Sequence, residues 1–117
     1  MTVDRGSVVL VELDPTVGHE QRGVRPCIVV SDPTVNAAQR FPLIAVVPVT
    51  GTVGTGALYP VLVPGTSGLI KESSALIDHL RAVDKRRIRR IFGTVYATEL
   101  AAIDQGLELF LGLGATQ

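Results

Sequence analysis

Apolar and polar positions fall into short blocks over most of the chain and into one longer periodic block at its end. Ser7 to Glu12 is a run of valine and leucine closed by Asp14-Pro15, which predicts a strand and then a break. Residues 14–24, DPTVGHEQRGV, are polar and glycine-flanked; a connection of this length between strands often carries function. Pro26 to Ser31 is apolar throughout and predicts a strand buried on both faces. Asp32-Pro33 and Asn36 predict a turn with one helical turn. Leu43 to Val49 predicts a third strand, with Pro48 calling for an edge position or a bulge. GTVGTG, residues 51–56, predicts a flexible connection, Tyr59 to Val63 a fourth strand and Ser74 to Val83 a fifth. Asp84 to Arg90 predicts a short basic helix, and Phe92 to Val95 a last short strand. Leu100, Ile103, Leu107 and Phe110 recur at spacings of three and four, one face of a terminal helix capped by Thr98 and ended by Gly112 or Gly114. Gly106 costs that helix about 1 kcal/mol relative to alanine.

Strands first and one good helix last predict a mainly β chain of the α+β class: a small, mostly antiparallel barrel with a C-terminal helix packed on it. The 117 residues are expected to form a single domain over 1–117, long enough to fold without metal or disulfide. Aromatics make up 4%, so the core is expected to be valine, leucine, isoleucine and alanine. Cys27 is the only cysteine, which excludes an intrachain disulfide. No segment resembles a signal peptide or approaches the roughly 18 apolar residues of a membrane span, so the expected location is the cytoplasm. A net charge of zero gives no support to nucleic-acid binding by the chain as a whole, but six of its eleven basic residues lie between Arg81 and Arg90.

The chemistry available is limited. His19 and His79 are sixty positions apart, and no metal motif surrounds them, so no metal or other cofactor is expected. GTVGTG lacks the Lys-Ser/Thr of a phosphate-binding loop. The segment HEQRGVRP, from His19 to Pro26, is the richest: guanidiniums suit a phosphodiester, and Glu20 and Gln21 suit base edges. It also reads as an ordinary solvated loop. Arg25 stands at the base of a strand, pre-positioned either for a phosphate or for a structural ion pair. Thr50, where the third strand meets GTVGTG, offers a hydroxyl to a phosphate oxygen or to its own turn. In ALIDHLRAVD, strand alternation puts Ile77, His79 and Arg81 on one face and Asp78 and Leu80 on the other. His79 beside Arg81 is an acid or base next to a phosphate clamp, or part of an exposed sheet face. The run Lys85, Arg86, Arg87, Arg89, Arg90 suits a phosphate backbone or a solvated helix surface.

The opening RGSVVLVELDPTVGHEQRGVRPCIVVS resembles the MazF/PemK/Kid family of toxin–antitoxin toxins. The matching positions are Arg5-Gly6, Asp14-Pro15, Gly18, Glu20-Gln21, Gly23 and Arg25-Pro26. PVTGT from Pro48, ESSALIDHLRAVDKRRI from Glu72 and the final helix ending in LGL continue the resemblance over essentially the whole chain.

The resemblance implies an SH3-like or CcdB-like β-barrel with a C-terminal helix. It implies a homodimer that cleaves single-stranded RNA at short motifs without metal, leaving a cyclic phosphate and a 5′-hydroxyl. It also implies a MazE-like antitoxin that blocks the groove, and contact with DNA only through that antitoxin. Family catalytic roles map onto Arg25 and Thr50. Glu20, Gln21, Leu58, Asp78, His79 and Arg81 map onto the RNA groove. Arginine is a poor general base because its pKa exceeds about 12, so the residues taken alone point to His19 or His79 for proton transfer. His79 stands where many relatives have glutamine, which leaves base preference open. The alternative on the same fold is a non-catalytic module, either a gyrase poison or an antitoxin- or DNA-binding protein. The gyrase-binding relatives end in a Trp-containing tail, and this chain has no Trp.

Overall fold

Alternating β-branched residues put two apolar faces on the same three strands, and the chain buries both. The computed structural model describes residues 3–114. Strands β1 (Ser7–Glu12), β2 (Val24–Val29) and β3 (Leu43–Thr50) pair antiparallel in sequence order. Val9, Val11, Cys27, Val29, Ile44 and Val46 point into one core, while Val8, Ile28, Val47 and Val49 point into the other. The short helix α1 (Pro33–Ala37) links β2 to β3; it starts where Asp32 accepts from the Thr34 N–H at 2.8 Å.

The remaining strands are β4 (Val61–Leu62), β5 (Ser73–Ala75), β6 (Arg81–Asp84) and β7 (Ile88–Thr94). The seven strands form a curled antiparallel sheet in the order β4-β5-β3-β2-β1-β7, with β6 also paired to β3. Helix α2 (Ala97–Leu111) covers the second core through Ile103, with Leu100 and Leu107 against its margin. The expected mainly β barrel with a C-terminal helix is therefore the observed architecture.

Six local expectations are corrected. Ser74 to Val83 is not one strand. β6 pairs with the first half of β3 and β5 with its end, and the exchange falls at Pro48, which has no N–H to donate. Between them lies a single 3₁₀ turn, Ile77–His79, anchored where the Leu76 N–H donates to the Pro48 carbonyl at 2.8 Å. Strict alternation through residues 77–81 fails there: Ile77 enters the core, while Asp78 and His79 turn toward the surface.

The basic stretch is one 3₁₀ turn, Lys85–Arg87, followed directly by β7. Its side chains are drawn to backbone carbonyls. Lys85 Nζ donates to the carbonyls of Val35 and Ala38 at 3.0 and 2.9 Å, closing the end of α1. Arg87 Nη1 donates to those of Glu12, at 3.1 Å, and Asp14.

The fourth strand shrinks to Val61–Leu62. Helix α2 begins before Thr98, because the Glu99 carboxylate receives the Tyr96 N–H at 2.9 Å and the Val63 N–H at 2.8 Å. Gly112, at φ 69°, ends the helix as expected. Phe110, expected on the core face, is 43% exposed beside exposed Leu109, Leu111 and Leu113.

Candidate functional site: a polar groove across the third strand

The loop between β1 and β2 is long, yet it is held at its base. Arg81 Nη1 donates to the Leu13 carbonyl at 3.0 Å, Arg87 holds the carbonyls on either side of it, and the Leu13 N–H donates to the Gly23 carbonyl at 2.8 Å. At its tip the Glu20 carboxylate receives the Val17 N–H at 2.5 Å. Three arginine bonds to carbonyls thus fix a segment that has no regular structure of its own.

This loop forms one wall of a groove of about 280 Å³ that crosses Pro48. His19, Glu20 and Gln21 line one side, and Asp78, His79, Leu80 and Arg81 the other. A second depression shares His19, Gln21 and His79 and adds Thr50, Thr52, Gly54, Tyr59 and Leu76. Glu20, Gln21, Asp78, His79 and Arg81, far apart in sequence, therefore meet at one groove, and Thr50 stands at its continuation. His19 lines both depressions. Leu58 does not line the groove: it is half-buried against the second core, and its carbonyl accepts from the Ile77 N–H at 3.0 Å.

Arg25 and Thr50 are related by strand register. β2 and β3 pair as far as Cys27 opposite Pro48, and Arg25 and Thr50 each lie two residues beyond that last pair, Arg25 against Val11 of β1 and Thr50 against Ser74 of β5. Arg25 is exposed, and its Nε donates to the Arg22 carbonyl at 2.9 Å. It lines a separate depression together with Val49 and Gly51, the chain neighbours of Thr50, whereas Thr50 itself lines the depression that holds His79.

Tyr59 is a groove residue that sequence reasoning missed. Its hydroxyl donates to Asp78 Oδ2 at 2.9 Å, and His79 Nε2 lies 3.7 Å from Asp78 Oδ1. His79 Nδ1 is buried and has no hydrogen-bond partner. No local pattern marks Tyr59, which reads as the first residue of a strand; only the pairing of β4 with β5 brings it to the 3₁₀ turn. Cys27 is excluded as a nucleophile: burial pushes its thiol up to about 12, against the opposing influence of Arg81. Among the described residues no three His, Cys, Asp or Glu side chains gather as a metal site.

Fold and groove together define a class: a curled antiparallel sheet with a C-terminal helix and an open polar groove over its third strand. Residues 4–111 match the family described as PemK-like, MazF-like toxin of type II toxin-antitoxin system, and the chain belongs to that family. It is 38% identical over 113 residues to the endoribonuclease MazF9 of Mycobacterium tuberculosis, covering 93% of this chain and 96% of that protein. The crystal structure of MazF from Deinococcus radiodurans superposes with a TM-score of 0.81 at 29% identity, over 97% of this chain and 99% of that one. MazF in a MazE–MazF crystal structure from the same organism gives 0.75 at 28% identity, with 97% and 99% covered.

The fold also gives the Arg5-Gly6 pair a physical role. Arg5 Nε donates to the Val30 carbonyl at 2.9 Å and its Nη1 to Asp104 Oδ2 at 3.1 Å, joining β2 to α2.

Proposed function

We propose that this chain is the toxin of a type II toxin–antitoxin pair and an endoribonuclease that cuts single-stranded RNA without a metal. The observation that carries the reading is the open polar groove over Pro48, lined by His19, Glu20, Gln21, Asp78, His79 and Arg81, with Thr50 at its continuation and Arg25 two residues beyond the last β2–β3 pair. The activity named for the 38%-identical relative supports it.

In the proposed reaction the 2′-oxygen of one ribose attacks its own 3′-phosphorus and the bond to the next 5′-oxygen breaks. The products are a 2′,3′-cyclic phosphate and a 5′-hydroxyl. Arg25 neutralises the charge that builds on the phosphoryl oxygens, and Thr50 donates to one of them. The 2′-hydroxyl must lose a proton and the 5′-oxygen must gain one. His19 and His79, which line the groove, serve that transfer better than a guanidinium. Glu20, Gln21, Asp78, His79 and Arg81 contact the RNA, and Leu58, packed against the second core, does not.

The protein works as a homodimer in the cytoplasm, bound by a MazE-like antitoxin and reaching DNA only through it. The exposed leucines and Phe110 at the end of α2 support a partner surface, and a relative is known in complex with MazE. No helix among the described residues is long and apolar enough to cross a membrane.

The test is incubation of the purified protein with a long single-stranded RNA in EDTA, followed by mapping of the ends. Discrete cuts bearing cyclic phosphate are expected, and Arg25→Ala should abolish them while circular dichroism stays unchanged. A folded wild-type protein that makes no cuts under any condition leaves only a binding role for this fold.

A further inference from the structure

Lys71 follows the pair Leu69-Ile70 at the end of the connection that leads into β5. Its side chain crosses the backbone of Gly51: a methyl group on that glycine would sit 2.6 Å from Lys71 Cε and 3.1 Å from Nζ. The absence of a side chain at 51 therefore lets the ammonium rest against the residue immediately after Thr50. Lys71 and Arg25 line the same depression, whose surface includes Val49 and Gly51. Among the described residues neither cation takes part in an ion pair. Two like charges around one small concavity repel, and a polyanionic strand laid over them relieves both.

His19, Gln21 and His79 share a depression with Thr50, and Lys71 shares the neighbouring one with Val49 and Gly51, the residues on either side of Thr50 in the chain. A strand laid along both depressions would run from Thr50 to Lys71.

We propose that Lys71 forms a second phosphate subsite at the edge of the depression it shares with Arg25: Lys71 holds the RNA backbone phosphate next to the one that is cut, and Arg25 stays with the cut phosphate. The proposal rests on the RNA-cleaving reading above. An ammonium is a point charge with no base preference, so the subsite strengthens binding of every sequence alike.

Lys71→Gln and Gly51→Ala, singly and together, test it on a single-stranded RNA oligonucleotide carrying one cut site. A second oligonucleotide carries a neutral methylphosphonate at the phosphate beside the cut. Lys71→Gln is expected to lose about five- to tenfold in kcat/KM, nearly all of it in KM. The log–log salt slope of binding should fall by about 0.7, the value of one phosphate contact on a single strand. Lys71→Arg should restore most of the loss. The methylphosphonate should weaken wild type by a similar factor and Lys71→Gln little. Gly51→Ala, by pushing the lysine aside, should weaken wild type and add nothing to Lys71→Gln. Wild-type KM and salt slope in Lys71→Gln overturn the subsite, as does an equal methylphosphonate penalty in both proteins, provided wild type still cuts. A wild type that cuts no RNA removes the nuclease reading and this proposal together, so the two failures are told apart.

Discussion

The Tyr59 hydroxyl donates to Asp78 Oδ2 at 2.9 Å and so ties the end of the 51–58 connection to the 3₁₀ turn that carries His79. The bond and the negative charge of Asp78 raise the Tyr59 pKa above the ordinary phenol value, which keeps the hydroxyl a donor. Tyr59→Phe removes that donor and leaves Asp78 free to turn in the groove. Cleavage of a defined oligonucleotide should slow about fivefold, the worth of one modest hydrogen bond, with relaxed preference at the base that Asp78 meets. Wild-type rates and an unchanged cut pattern in Tyr59→Phe would show that the carboxylate needs no such restraint.

Long periodic elements were legible in the sequence because their signal is local. Three valine-rich strands and the α2 face through Leu100, Ile103 and Leu107 are written in side-chain period alone. Partner exchange is not local. Ser74 to Val83 looks continuous, yet β3 gives up β6 and takes β5 at Pro48, and the chain must turn between them. The basic run misled for a related reason: Lys85, Arg86 and Arg87 find two groups of carbonyls and the Asp84 carboxylate, partners that have no sequence period. For the site, the ordered spacing of the Glu20-Gln21 and Arg25-Pro26 block carried the family resemblance. The register that pairs Cys27 with Pro48, two residues short of Arg25 and Thr50, became visible only once β2 and β3 were paired.

Gly106 gives a prediction opposite in sign to helix propensity. An alanine there should gain about 1 kcal/mol by propensity alone. A Cβ at 106, however, would lie 2.7 Å from the Ala57 carbonyl oxygen and 3.0 Å from Ile77 Cγ1, both packed against α2. Relieving that overlap typically costs about 1–3 kcal/mol, so Gly106→Ala should show a lower urea midpoint than wild type. A higher midpoint would mean that α2 slides on the sheet without cost.

Asp84 supplies a pH dependence with a definite sign. Its side-chain bond to Arg86, reinforced by the Arg86 backbone N–H, lowers its pKa from 3.8 to about 2. A carboxylate depressed in this way stabilises the fold fully above pH about 3.8 and ceases to do so as pH falls through about 2. Asp84→Asn should therefore melt below wild type near pH 6, by the small margin of an exposed pair. The two melting curves should converge between about pH 4 and pH 2. A gap that stays constant across that range would assign the loss to the capping geometry and not to the charge.

The two ring nitrogens of His79 have unequal surroundings. Nδ1 is buried and unpartnered, while Nε2 lies 3.7 Å from the Asp78 carboxylate in a side chain only 21% exposed. Truncating the ring breaks no hydrogen bond at Nδ1, so His79→Ala should unfold close to wild type and any lost activity is then functional. Cleavage should slow about tenfold, or the preferred motif should shift, because the side chain lines both depressions between the loop and Thr50. His79→Gln separates the two roles. Glutamine can still bond a base edge but does not titrate. It should restore binding with an altered motif, and the pH–rate profile should lose whichever limb the imidazole supplies. Rates, cut sites and pH profile all unchanged in both variants would remove His79 from the chemistry and leave His19 as the groove's proton carrier.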